Sequence, residues 1–186
     1  MHTDCVTRRD EVLDVALRLF AERGYNATPV SKIEKALGMR PGGGGLYRHV
    51  ASKQALLKQA VERALTRQQL HPTGPFRSAS DALVQSLLHL VDADLDLWKL
   101  LVREPSLPID LDDLYDRVIQ PSFDQATEWM GAHSAPSVDL RPRVIVAISA
   151  LLYLRISQFT YGRAPGGVSE EEFTAVVEQI LAGAAS

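Results

Sequence analysis

A run of four glycines, followed by a tyrosine, an arginine and a histidine, is the segment of this 186-residue chain best suited to chemistry with another molecule. The run is Gly42–Gly45, and Tyr47, Arg48 and His49 follow it closely. Glycine allows a backbone to approach another molecule, and the side chains after it can donate hydrogen bonds to phosphate oxygens or base edges. The segment therefore predicts contact with nucleic acid.

The charge of the chain is divided unevenly along its length. Residues 1–70 carry 12 Lys/Arg and 7 Asp/Glu, whereas residues 71–186 carry 8 and 16, so that the formal net charge is −3. A basic first third is typical of a chain in which one domain meets phosphates and the other does not. Chance unevenness of solvated faces gives the same asymmetry, so charge alone leaves both interpretations open.

Motifs for catalysis or metal binding are absent from the sequence. Asp92, Asp94 and Asp96 have the spacing of a calcium loop, but no glycine stands at its sixth position and Arg103 replaces the bidentate glutamate. The single cysteine, Cys5, cannot form an internal disulfide. We therefore predict no enzyme activity, no metal and no cofactor.

Helical periodicity runs through the chain, and its first third is divided into short segments. Apolar residues at positions 13, 16, 17 and 20 form one stripe of a helix over Thr7–Arg23, which Gly24 ends. Thr28 is expected to cap a second helix, Pro29–Leu37. Because glycine weakens helices, we predict that the helix after Gly42–Gly45 is short, frayed or incompletely ordered without DNA. Ser52 is expected to cap the helix that follows.

Two prolines and a glycine in residues 71–75 mark the best linker, and we place a domain boundary between residues 70 and 71. Beyond it, the most hydrophobic helix covers residues 141–162, and Ser169–Glu172 is a capping box that opens a last helix over residues 169–184. No stretch approaches roughly 18 consecutive apolar residues, and the N-terminus shows no signal peptide. We therefore expect a cytoplasmic protein without membrane contact.

An ordered set of residues in the first third resembles the N-terminal domain of the TetR family of transcriptional regulators. The set consists of Leu17, Phe20, Glu22 and Gly24, then Thr28, then Ile33, Ala36, Leu37 and Gly38, then Gly45–Val50, and finally Ser52, Lys53 and Leu56. The resemblance implies an all-α fold of about nine helices, with a three-helix helix-turn-helix domain in residues 1–70 and an effector-binding and dimerisation domain in residues 71–186. It also implies a homodimeric repressor that binds a palindromic DNA operator and is released by a small-molecule effector.

The resemblance implies a set of DNA contacts as well. Thr28, Tyr47, His49 and Lys53 match the family's phosphate contacts, and our candidates for the groove-facing set are Arg40, Arg48 and the glycine backbone, including Gly43 and Gly44. The chain is about two residues longer than the family between Gly38 and Tyr47, so the sequence does not settle which residues read bases. Tyr47 packing under the recognition helix, His49 as a surface histidine and Thr28 as only a cap remain alternatives.

In the second domain the resemblance is one of architecture. It implies an effector pocket, for which the candidates are His89, Trp98, Tyr115, Phe123, Trp129, Tyr153 and Arg155. It also implies a dimer interface on the last two long helices, with the candidates Ile148, Leu152, Phe173, Val176, Val177 and Ile180. Aromatic side chains at helical spacing also fit an ordinary core, and a buried arginine also fits an ion pair or the dimer seam.

The sign of regulation is not readable from the sequence. A repressor is the interpretation that we carry forward, while an activator and an adaptor that binds another protein through its helix-turn-helix remain alternatives.

Overall fold

The computed structural model describes residues 8–67, 70, 72, 74–104, 106–135 and 139–183, apart from the side chains of residues 111 and 118. It contains two compact units. The first consists of Met1–Arg67 and Asp94–Leu111, and the second of Gln68–Ala93 and Asp112–Ser186. The described ranges contain helices and turns and no strand, so the predicted all-helical fold is confirmed.

The helices follow one another along the chain with short connections. Their bounds are α1 Arg8–Arg23, α2 Val30–Ala36, a 3₁₀ helix Leu46–Arg48, α3 Lys53–Arg67, α4 Ala79–Ala93, α5 Leu95–Arg103, α6 Leu111–Leu114, a π-helical turn Tyr115–Ile119, α7 Gln120–His133, α8 Leu140–Tyr161, a 3₁₀ turn Pro165–Gly167 and α9 Glu170–Ala182.

The core of the first unit forms around α1, which packs against α3 and α5. Phe20 of α1, Leu56 of α3 and Leu97 of α5 are all fully buried. Arg103, at the end of α5, donates hydrogen bonds to the carbonyl oxygens of Ala21 and Glu22 at 3.0 and 3.3 Å. Residues 94–111 therefore belong to the first unit, whereas the sequence placed them in a second domain that begins at residue 71.

Capping in the first unit was predicted correctly at one helix and wrongly at another. Ser52 Oγ accepts a hydrogen bond from the Ala55 amide at 3.0 Å, which confirms it as the cap of α3. The prediction for Thr28 is wrong: α2 begins at Val30, and Pro29 is its capping residue, without a side-chain hydrogen bond. The Thr28 hydroxyl instead donates toward the carbonyl oxygens of Leu19 and Gly24, at 3.2 and 2.8 Å.

The second unit is built on α8, which packs against α4, α7 and α9. Leu83, Met130, Leu151 and Leu154 lie in its core and are at most 1% exposed. The capping box predicted at the start of α9 is confirmed, because Ser169 and Glu172 each accept a hydrogen bond from the other's backbone amide.

α8 is long and apolar enough, by length and composition alone, to cross a membrane. However, only 28% of its most hydrophobic window is buried within the chain. Val144, Ala147, Leu151 and Leu154 form its buried stripe, at the spacing of one helix face that packs on a core. One stripe of the helix therefore packs on the core of the second unit, while other apolar residues of the helix are exposed on its surface.

Candidate nucleic-acid interface

A buried carboxylate on α2 holds the glycine-rich segment in place. Glu34 is 1% exposed, and its two oxygens accept hydrogen bonds from the amides of Gly42 and Leu46 at 2.6 and 3.4 Å. The segment after α2 is therefore tied to that helix at both of its ends. The sequence analysis missed Glu34, although Val30, Ile33, Glu34 and Leu37 have the i, i+3, i+4, i+7 spacing of one helix face.

Two of the four glycines adopt a backbone conformation that other residues rarely reach. Gly42 and Gly44 have φ values of +74° and +69°. Gly43 has a different role, because a Cβ atom built there would lie 3.1 Å from the Arg40 carbonyl oxygen and 3.6 Å from the Arg40 Cβ. Gly45 has a right-handed φ of −59°, and a Cβ there would make an ordinary contact with Met39.

The recognition helix that follows is reduced to a single 3₁₀ turn, Leu46–Arg48. This confirms the prediction that it is short, and it follows from the run of glycines before it. Leu46 and Val50 are buried and anchor the turn, while the Tyr47 side chain is 51% exposed. Arg40 and Arg48 are also exposed, and His49 is half-buried. The Tyr47 ring is therefore not packed under the turn.

The unpaired cations of the first unit occur in one part of the sequence. Arg8, Arg9, Lys53, Lys58, Arg63, Arg67, Lys99 and Arg103 each make a salt bridge or a side-chain hydrogen bond. Within the described ranges, those that make neither are Arg18, Arg23, Lys32, Lys35, Arg40 and Arg48. The cations available to an outside anion therefore lie between residues 18 and 48, from the second half of α1 through the recognition turn.

Two of the predicted phosphate contacts are engaged within the first unit in this structure. Thr28 is 0% exposed, and its hydroxyl is engaged with the end of α1, as described above. The Lys53 ammonium donates a hydrogen bond to the Tyr25 carbonyl oxygen at 2.6 Å and lies 4.2 Å from the centre of the Tyr25 ring. Both side chains hold the connection between α1 and α2, and their contact with phosphate stays a prediction.

Lys53 belongs to a small bonded cluster around Tyr25. The Glu104 carboxylate accepts a hydrogen bond from the Tyr25 amide at 2.7 Å, and the Tyr25 ring packs against Phe20 at 5.3 Å between centroids. Burial lowers the pKa of the Lys53 ammonium, while the charge of Glu104 opposes that shift. The amide, the carbonyl and the ring of Tyr25 are thus all engaged, and Lys53 is a structural residue of the first unit.

Replacing Lys53 with alanine is expected to lower the stability of the first unit. The change removes a charged hydrogen bond and a cation–π contact, for which about 1–3 kcal/mol is typical. At roughly 2–4 °C per kcal/mol for a chain of this size, thermal unfolding followed by circular dichroism should show the loss. The matched control is Lys58→Ala on the same helix, where the exposed pair with Glu62 at 3.9 Å contributes little. Equal melting temperatures for the two variants would contradict a structural role for Lys53.

The candidate effector residues do not form one group. Trp98 belongs to the first unit, and the other six belong to the second. His89, Tyr115 and Tyr153 are exposed, whereas Phe123 and Trp129 are half-buried on α7, where Trp129 stacks on His133 at 4.4 Å. The indole nitrogen of Trp98 is buried without a hydrogen-bond partner among the described residues.

Two open clefts can be described, and neither is lined by any of these candidates. One, of about 390 Å³, lies in the first unit beside Arg9, Gln59 and Arg63. The other, of about 440 Å³, lies between α4 and α9 in the second unit, beside Arg77, Glu171 and Glu178. Charged side chains line both clefts, so neither is the apolar pocket typical of small-molecule sites.

Arg155 is paired with carboxylates of its own unit. Its side chain is 14% exposed, and its guanidinium nitrogens lie 2.8 Å from Asp92 and 2.7 Å from Glu170. Gln158 also accepts a hydrogen bond from it, at 2.8 Å. Of the interpretations left open by the sequence, the structure shows the ion pair. Arg155 joins α8 to the end of α4 and the start of α9, and its charge is already balanced without an effector.

The Arg155 cluster is expected to make the stability of the second unit depend on pH. Hydrogen bonds from Arg155 and Gln158 lower the pKa of the Glu170 carboxyl below its ordinary value of 4.5. This stabilisation is present above the unfolded pKa and is lost as the pH falls through the lower, folded pKa. In Arg155→Met, we expect a melting temperature a few degrees lower near neutral pH and a smaller further drop on acidification below about 4.5. Arg163→Met is the matched control, because Arg163 is exposed and has no side-chain partner within the described ranges. An unchanged pH profile in Arg155→Met would contradict this role.

The candidate interface residues occupy different depths on α8 and α9. Val176 is 53% exposed, and Ile148, Leu152, Phe173 and Ile180 are half-buried. Val177 is 2% exposed and packs in the core of the second unit, so its side chain is not available to a partner. The exposed apolar set of these helices also includes Val146 at 50% and Tyr153 at 53%, which the sequence analysis did not assign to the interface.

The short α2, the tight turn pinned by Glu34 and the exposed residues after it define the first unit as a helix-turn-helix DNA-binding domain. The sequence of this domain is that of one family: residues 12–60 match the family model described as bacterial regulatory proteins, tetR family. The predicted resemblance to the TetR family is thereby confirmed for residues 12–60. The proteins that match are transcriptional regulators, in agreement with the prediction that the chain is not an enzyme.

Curated relatives match about a third of the chain. The transcriptional repressor KstR2 of Rhodococcus jostii is 44% identical over 54 residues, which are 29% of this chain and 26% of that protein. The transcriptional regulator UidR of Escherichia coli is 34% identical over 71 residues, which are 36% of this chain and 35% of that protein. The matches thus span between a quarter and about a third of these relatives' own length.

Solved structures share the fold along nearly the whole chain. A TetR-family regulator from Rhodococcus sp. has a TM-score of 0.68 at 20% identity, covering 96% of this chain and 98% of that one. The structure of AibR in complex with isovaleryl coenzyme A and operator DNA has a TM-score of 0.63 at 20% identity, covering 94% and 98%. The chain beyond residues 12–60 therefore shares its fold with these two structures.

Proposed function

We propose that this chain is a cytoplasmic transcriptional repressor that binds a palindromic DNA operator as a homodimer and leaves it when a small-molecule effector binds. The observation that carries the DNA-binding part is the distribution of unpaired cations in the first unit. Cations paired within the protein lose part of their attraction for phosphate, whereas those between residues 18 and 48 keep theirs. Tyr47 and His49, on and beside the recognition turn, add hydrogen-bond donors for phosphate oxygens.

The family's members support the regulatory part of the proposal. The relatives include a transcriptional repressor, and one structural neighbour was solved with both an acyl coenzyme A and operator DNA bound to it. A repressor released by an effector needs two conformations that differ in DNA affinity, and the effector must prefer the one that binds DNA less well. The proposed difference is the spacing of the two recognition turns within the dimer.

Homodimerisation is supported by the open apolar surface of α8 and α9. Val146, Tyr153 and Val176 are each at least 50% exposed, and exposed large apolar side chains favour burial against a partner. A single small helix-turn-helix makes few DNA contacts, and linking two of them multiplies affinity for a palindromic site. We propose that four half-buried residues of the same two helices also belong to the interface: Ile148, Leu152, Phe173 and Ile180.

The test is to incubate the purified chain with fragmented DNA from its source genome and to sequence the fragments that it retains. The proposal expects a few enriched fragments that share an inverted repeat upstream of genes, and a dimer mass in solution by light scattering. Genes beside the retained fragments would then indicate the effector's chemical class. Retention without any shared sequence, or a monomer at micromolar concentration, would contradict the proposal.

A further inference from the structure

We infer that, of the side chains that the structure describes, only two per protomer read bases directly, Arg40 and Arg48, and that both select guanine. The inference rests on the proposed DNA binding and specifies what that site recognises. Its starting point is the composition of the recognition segment, where four consecutive positions carry no side chain. A helix in the major groove normally reads sequence with side chains from such positions.

The glycines leave few candidates for base contact. Between residues 38 and 49, the side chains that can donate hydrogen bonds to base edges belong to Arg40, Tyr47, Arg48 and His49. His49 is half-buried, and Tyr47 has a single hydroxyl, which suits a phosphate oxygen better than a bidentate base contact. The two arginines remain, and both are exposed without an ion pair or side-chain hydrogen bond to any other described residue.

The position of Arg40 is defined by the glycine loop. The Gly43 amide donates to the Arg40 carbonyl oxygen at 3.1 Å, which closes a turn at the base of the side chain. A Cβ atom on Gly43 would come within 3.6 Å of Arg40 Cβ and 3.8 Å of its Cγ, so the aliphatic part of Arg40 lies over Gly43. The Glu34 carboxylate then fixes the loop on α2 through Gly42 and Leu46. Arg40 therefore extends from a held backbone.

Guanine is the base that a guanidinium group selects. Its O6 and N7 atoms accept two parallel hydrogen bonds in the major groove, and such a contact discriminates by roughly 1–3 kcal/mol, or about 5- to 150-fold. Lysine keeps the charge but lacks the planar fork that makes the bidentate contact. Arginine-to-lysine variants therefore separate base reading from phosphate attraction.

The experiment selects binding sites from a random duplex library with the full-length chain and its Arg40→Lys, Arg48→Lys and Lys32→Ala variants. The expected wild-type motif has at most two strong positions per half-site, both guanine, and each lysine variant flattens one of them by about 5-fold or more. Lys32→Ala, on α2, should weaken binding to all sequences about equally and keep the motif.

Several outcomes would overturn the inference. One is a motif that both lysine variants leave unchanged, and another is a strong preference for A·T pairs at three or more positions of a half-site that persists when both arginines are replaced. In either case DNA binding itself would stand. Failure of the wild-type chain to retain any duplex would overturn the proposed function and this inference together.

Discussion

Glu34→Ala is expected to weaken binding to a retained operator fragment on the order of 100-fold while leaving the second unit folded. The Glu34 carboxylate accepts hydrogen bonds from the amides of Gly42 and Leu46. The change to alanine removes both acceptor oxygens, so the two amides lose the partner that the structure shows for them within the described ranges. Leu46 is buried, and a buried donor without a partner costs about 1–3 kcal/mol, so we expect the loop to move to satisfy its amide. Because only the held loop presents Arg40 and Tyr47 together, affinity falls with the population of that conformation.

Fluorescence anisotropy with a labelled fragment measures the loss of DNA affinity, and two further variants show whether it comes from the hydrogen bonds of Glu34. Glu34→Gln keeps one amide oxygen as an acceptor and should recover part of the affinity. Glu22→Ala removes an exposed carboxylate from the same unit and should leave binding unchanged or slightly stronger, because a negative charge is lost near DNA. If Glu34→Ala bound DNA as tightly as the wild type, DNA binding would not depend on the hydrogen bonds that Glu34 makes to the glycine loop.

The second large effect is expected from removing the free cations of α1 and α2. In the triple variant Arg23→Gln, Lys32→Gln, Lys35→Gln, we expect DNA affinity to fall by roughly 10²-fold or more near 0.1 M salt. Each phosphate contact that is lost should also reduce the slope of log affinity against log salt by about 0.9, once per protomer. Titrations between about 50 and 200 mM salt give both quantities.

The matched control for that variant replaces cations that already have partners. Lys58→Gln and Lys99→Gln together alter one exposed and one half-buried residue, whose ammonium groups lie 3.9 and 3.7 Å from Glu62 and Asp96. Their loss should change neither the slope nor the affinity by more than a few-fold, because their neighbouring carboxylates already offset the charge. Equal effects of the two variants would show that net charge, and not the free cations of residues 18–48, determines binding.

Local patterns in the sequence predicted the helices and most of their ends. Apolar periodicity and the caps Ser52 and Ser169 act within one turn of the chain, so they are visible without the fold. The brevity of the recognition helix was predictable for the same reason, because four glycines disfavour a helix whatever packs around them.

What could not be predicted depends on contacts between distant residues. Lys53 matched the family's phosphate contact, and only the fold brings it to the Tyr25 carbonyl, 28 positions away. Thr28 precedes a proline as a cap would, yet its hydroxyl turns back to the end of α1. Arg155 was recognised as needing an anionic partner, but Asp92, 63 positions away, was not identifiable from the sequence.

The most direct test of the central claim is hydrogen exchange measured by mass spectrometry on the intact chain, with and without a retained genomic fragment. We expect amide exchange to slow on DNA addition in peptides covering residues 23–49 and to stay unchanged in peptides from α8. Slower exchange confined to the second unit, with no change in residues 23–49 at saturating DNA, would contradict it.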